Sequence, residues 1–79
     1  MPDKRIKVIS YSGYRGEETP RSIFIHDEKI NVNAILNRWT EQRLKDRIIK
    51  RFFRVKGSDR KVHTIYYDEE DREWFYRED

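Results

Sequence analysis

Residues 33–52 read NAILNRWTEQRLKDRIIKRF, and the fold turns on whether this stretch is helix or strand. A helix would use Asn33 as its N-cap and line up Ile35, Leu36 and Trp39, with Leu44, Ile48 and Phe52 extending the stripe. A strand would alternate from Ile30 to Trp39, give way to a charged loop, and restart at Lys50. The length of the stretch favours the helix, and its neighbours favour the strand. We read strand through Trp39, then a loop with at most a short helix near residues 40–50.

Working outward, the downstream third is plainer. KRFFRVK is a strand, and GSDRK is a turn with Gly57 and Asp59 supplying the turn chemistry. In KVHTIYY, Val62, Thr64 and Tyr66 face one way and His63, Ile65 and Tyr67 the other. DEEDRE turns the chain and EWFYR returns it. Upstream, IKVISY alternates, and SIFIHDEKINV reads as two strands around a tight turn at Asp27 and Glu28. Glycines at 13 and 16 and the proline at 20 make YSGYRGEETPRSI a loop, with a strand restarting at Arg21. The chain is therefore expected to be mainly β. The architecture is a small antiparallel meander of five or six strands, curved or closed into a barrel, in a single domain over residues 1–79. Its core should draw on Ile23 or Ile25, Val32, Leu36, Phe53, Val55, Ile65 and Phe75.

Composition narrows the function classes. The 79 residues contain no cysteine, so neither a disulfide nor a thiolate zinc site is possible. His26 and His63 match no ligand spacing. No apolar run reaches the roughly 20 residues of a membrane span, and the first ten residues lack the apolar stretch of a signal peptide. The expectation is a cytoplasmic protein without membrane contact. The net charge of +3 hides a strong asymmetry. From Arg38 to Lys61 there are ten Lys or Arg against three acids, and from Asp68 to Asp79 two Arg against seven acids. A basic block suits nucleic acid or another polyanion; it also suits a solvated face neutralised in part by the acidic end.

The order YSGYRGEETPRSI, then ILNRW, then FFRVKGSDRKVHTIYYDEEDREWFY resembles an uncharacterised family of small prokaryotic proteins. A related segment occurs at the C-terminus of proteins resembling Y-family DNA polymerases. The resemblance spans nearly the whole chain, but its landmarks are aromatic rather than catalytic. The chain departs from the pattern at TEQRLKDRIIKR, which is longer and more basic. The resemblance implies a β-rich module associated with DNA-handling proteins, and it transfers no activity.

The candidate contact residues follow from charge and aromatic content. Arg43, Lys45, Arg47, Lys50 and Arg51 crowd into nine residues, beside Arg38 and Trp39. Mobile cations suit phosphates and a nearby ring suits base stacking; a solvated loop and a packed tryptophan are the plainer reading. Tyr14 and Arg15 are the residues the glycine loop would present to a ligand, unless its tyrosines cap one end of the barrel. Asp68 to Asp71 are contiguous acids without a glycine, which fits a hairpin turn better than a calcium loop. Ser10, Ser12, Ser22 and Ser58 lack a His–acid partner in any recognisable order, and there is no phosphate-binding glycine loop. We therefore expect a noncatalytic binding module with no cofactor and no metal. Nucleic acid is the first partner, and a protein docking on an aromatic patch or an open strand edge is the alternative. The sequence does not specify an oligomeric state.

Overall fold

The alternating segments pair in sequence order. The computed structural model describes residues 3–12, 18–45 and 47–77. Six strands follow one another: β1 (Lys4–Ser12), β2 (Glu18–Ile25), β3 (Glu28–Arg43), β4 (Ile48–Gly57), β5 (Val62–Asp68) and β6 (Glu73–Tyr76). They form a closed antiparallel barrel in the order β1-β2-β3-β4-β5-β6. Closure depends on β1, which pairs through Lys4–Ile6 with β6 and through Lys7–Ser12 with β2. The described residues contain no helix, and so none long and apolar enough to cross a membrane.

Alternation places one face of each strand inside. Ile23, Ile30, Phe53, Val55, Ile65 and Trp74 form the core, flanked by Ile6, Val8, Ile25, Val32, Ile35, Tyr67 and Tyr76. Two expected core residues are corrected. Leu36 is 51% exposed, and Phe75 points outward, where its ring stacks on Tyr66. Its neighbour Trp74 takes the interior place instead.

The reason for the Leu36 error lies in β3. Its register against β4 shifts between Val32 and Ala34 and again between Ile35 and Asn37. Asn33 and Leu36 are the extra residues of two bulges, which bend and twist the strand and reset its phase. Inward positions thus fall at Val32 and Ile35, opposite Gly57 and Val55, rather than at every second residue.

Local chemistry fixes the turns. His26 and Asp27 form the two-residue β2–β3 turn, both with positive φ (51° and 63°). Such a pair matches the twist of a hairpin. The expected position, Asp27 and Glu28, is one residue late. β2 also begins earlier than expected, at Glu18 rather than Arg21. Its Pro20 sits opposite Ser10 at a register shift, where a missing N–H is tolerated. The loop expected after Trp39 is corrected as well. β3 runs on to Arg43, and the connection to β4 is a turn closed by the Arg47 N–H donating to the Arg43 carbonyl at 2.7 Å. The β5–β6 turn repeats that closure from Arg72 to Asp68 at 2.8 Å.

Pairing is uneven around the barrel. β2 pairs with β3 only from Ser22↔Asn31 to Ile25↔Glu28. From Val32 to Arg43, β3 pairs with β4 alone among the described residues. Among the described residues, this part of β3 has no partner strand on its β2-facing edge, while β4 remains paired with β5 from Lys50 to Lys56.

Candidate nucleic-acid interface

The basic segment is a β-hairpin rather than a loop, with β4 also paired to β5 from Lys50 to Lys56, and strand alternation decides where its cations go. Arg43 and Lys50 share the outer face of the barrel with Trp39 and Phe52; Arg38 and Arg51 share the inner face with Phe53. Lys45 and Arg47 occupy the turn at the tip. The predicted cations are thus gathered on one hairpin but divided between its two faces and its end. Tyr14 and Arg15 lie outside the described residues.

Several of these cations are engaged. Arg51 Nε bonds Glu69 Oε2 at 2.6 Å, and the Glu69 N–H donates to the Ile49 carbonyl at 3.1 Å. The acidic β5–β6 turn is therefore fastened beside the basic hairpin and neutralises part of it. Lys50 Nζ lies 5.1 Å above the Tyr66 ring. Arg38, Lys45 and Arg47 are exposed and form no ion pair with any described residue.

Trp39 begins a row of outward aromatic rings that crosses four strands. It stacks on Phe52 at 5.2 Å with 7° between planes; Phe52 meets Tyr66 at 4.8 Å, and Tyr66 stacks on Phe75 at 5.3 Å. Each contact is a cross-strand pair, the unit that stabilises a sheet face. Arg54 lies over Trp39 at 5.7 Å and Arg77 over Phe52 at 5.1 Å. With these side chains in place Phe52 is only 3% exposed and Tyr66 5%. The Trp39 indole N–H donates to Glu41 Oε2 at 3.1 Å, and that carboxylate stands 3.6 Å from Arg77. The row braces the hairpin against the barrel wall, and its middle rings offer no open face for a base. Arg54 and Arg77 were missed in the sequence because only the strand register places them over the rings.

Within the row, the Tyr66 hydroxyl donates to Asp3 Oδ2 at 2.7 Å. Burial foremost, then that bond and the charges of Asp3 and Asp68, hold its hydroxyl well above the ordinary tyrosine range against the opposing Arg77. A tyrosine that resists ionisation when folded, and ionises near pH ~10 when unfolded, stabilises the fold fully below that pH. The contribution is lost as pH rises towards the raised folded value. The expected result is a melting temperature that falls above about pH 10, with a smaller alkaline fall for Tyr66→Phe. Equal alkaline slopes for parent and variant would exclude Tyr66 as the source.

At the opposite mouth of the barrel, a cavity of about 730 Å³ opens between the start of β1 and the β2–β3 and β4–β5 turns. His63, buried at its wall, has both ring nitrogens occupied. Nδ1 lies 3.1 Å from the Tyr76 hydroxyl and Nε2 2.9 Å from Asp59 Oδ2. Nε2 thus pairs with the Asp59 carboxylate and Nδ1 with the Tyr76 hydroxyl. Desolvation raises the Asp59 carboxyl, but the Lys61 N–H and the bond and charge of His63 outweigh it, leaving it below its ordinary value. This chain of bonds ties the β4–β5 turn to β6. With both nitrogens taken, His63 offers no free base.

The chain matches no family model, no curated protein and no solved structure.

Proposed function

We propose that the chain is a noncatalytic nucleic-acid-binding module whose contact surface is the β3–β4 hairpin. The observation that carries this reading is the gathering of Arg38, Arg43, Lys45, Arg47, Lys50 and Arg51 on one hairpin. Polyanion affinity comes from such cations through release of counterions from the phosphates. The aromatic row supplies rigidity, which lets the hairpin present its charges without ordering cost on binding. The resemblance to a segment attached to polymerase-like proteins agrees with this reading.

Titration with single- and double-stranded DNA and RNA at two salt concentrations tests it. Log affinity should fall linearly with log salt, and Arg43→Gln/Lys45→Gln/Arg47→Gln should flatten the slope by roughly 0.9 per lost contact on a B-form duplex. The variant should melt like the parent, because these are surface positions away from the core. Absence of salt-sensitive binding to every nucleic acid at low ionic strength would sink the proposal.

A second reading rests on the β2-facing edge of β3. From Val32 to Arg43, where β3 pairs with β4 alone among the described residues, an extended segment of a protein partner can add a strand by main-chain pairing. Binding that is insensitive to salt and abolished by a proline in β3 would favour it.

A further inference from the structure

Resting on the nucleic-acid reading, we infer that the ligand is a single strand, lying on the outer face of the sheet along β4 with one base stacked on Trp39. The first observation is the breadth of the wall. At the aromatic row four strands are paired side by side, through Trp39↔Phe52, Phe52↔Tyr66 and Tyr66↔Phe75. Paired strands lie about 4.8 Å apart, so the outermost two of the four stand roughly 14 Å apart. That is too broad for a major groove about 12 Å wide. The outside of a closed barrel is convex, and a duplex is a stiff rod with a persistence length of about 50 nm. Two such bodies touch along a narrow line, whereas a flexible single strand follows the curve of the sheet.

The second observation is where the charges face. Alternation along β4 puts Lys50, Arg54 and Lys56 on the outer face, on either side of Phe52, and Arg43 joins them from β3. Two acids of that face are already held. Glu41 accepts the Trp39 N–H at 3.1 Å and stands 3.6 Å from Arg77, and Glu73 pairs with Arg5 at 2.7 Å. A line of cations beside aromatic rings is what tracks a single phosphate backbone. Arg38 and Arg51 belong to the inner face and lie outside this track.

The third observation is the place of Trp39 in the row. Phe52 and Tyr66 are covered, but Trp39 stands at the β3 end and is only half-buried. Phe52 is its one ring partner among the described residues. A base stacked on Trp39 extends the row by one plate. The exposed Arg54, whose guanidinium lies 5.7 Å from the centre of the Trp39 ring, is placed to take the adjoining phosphate. Every base has a π-face, so such stacking tolerates any sequence.

The test uses the whole chain with 20-mers of single-stranded DNA, single-stranded RNA and duplex DNA of one sequence, at matched salt. Both single strands should bind tighter than the duplex, and the preference between them names the sugar. Single strands should quench the tryptophan emission of the parent. They should leave that of Trp39→Phe unchanged, because its remaining Trp74 is buried in the core. Trp39→Leu should weaken single-strand binding roughly 5- to 100-fold without changing the salt slope, and Trp39→Phe, which keeps a ring, should recover most of the loss. Arg54→Gln should flatten the single-strand slope by roughly 0.7, and Arg38→Gln, on the other face, should leave it alone. Both are exposed positions, and both variants should melt like the parent. Tighter binding to the duplex, unquenched emission from the parent, or a slope that responds to Arg38 and not to Arg54 overturns the inference and leaves the nucleic-acid reading standing. No binding to any of the three removes both.

Discussion

Phe53→Ala should cost roughly 3 kcal/mol or more, the range found when buried aromatics are cut to alanine. The ring is buried at the centre of the core, 5.6 Å from Trp74 and tilted 41° to it. Its backbone is paired on both sides, with Arg38 on β3 and Ile65 on β5. Neither neighbour can slide in to fill the gap without breaking a ladder, so the cavity stays. A domain of this size has a total stability of roughly 5–15 kcal/mol. Each kcal/mol shifts Tm by roughly 4–8 °C, so the variant should melt roughly 12 °C or more below the parent. Differential scanning calorimetry reads this directly. A shift of only a few degrees would mean that Phe53 points outward and that β4 is one residue out of register, since a single slip exchanges the faces of a whole strand.

That sensitivity to register explains what the sequence made legible. From Lys50 to Arg77, each strand alternates without interruption and each turn carries its own chemistry, so the sides of His63, Ile65 and Tyr67 could be read directly. Residues 33–52 were ambiguous for a physical reason. Bulges at Asn33 and Leu36 bring Val32 and Ile35 to the same side at a spacing of three. That spacing imitates a helix, and a bulge in β3 has no distinctive residue to announce it. The same limit applied to the candidate site. Counting cations identified the hairpin, because charge is additive along the chain. It could not set Arg43 on the outer face beside Trp39, because a stretch read as loop has no faces. Recognising β3 up to Arg43 is what turned a basic loop into a paired hairpin with two faces. The rings over which Arg54 and Arg77 lie belong to other strands, so pairing across the barrel, and not local sequence, put those contacts together.

Gly57→Ala is expected to be the other large loss, and it probes the opposite end of β3. Gly57 closes β4 facing inward, opposite Val32 at the first bulge. A Cβ there would stand 2.5 Å from Ile30 Cγ2 and 2.7 Å from Asp59 Oδ1. Neither neighbour can easily yield. Ile30 is buried in the core. Asp59 accepts the Lys61 N–H through Oδ1 at 3.1 Å and bonds His63 through Oδ2 at 2.9 Å, so moving it unfastens the β4–β5 turn. Overpacking costs typically 1–3 kcal/mol, and losing the Asp59 bonds adds to it, so a fall in Tm of roughly 10 °C or more is expected. Two companions separate the causes. Asp59→Ala alone removes the bonds without the clash and should cost less than Gly57→Ala. Ile30→Ala makes room for the new methyl, so the double variant with Gly57→Ala should lose less than the two single losses added, because contacting residues couple. Strict additivity would show that the methyl never met Ile30. The β4 end would then sit farther from β3 than the Val32–Gly57 pairing requires, and the first bulge, at Asn33, would have to be redrawn.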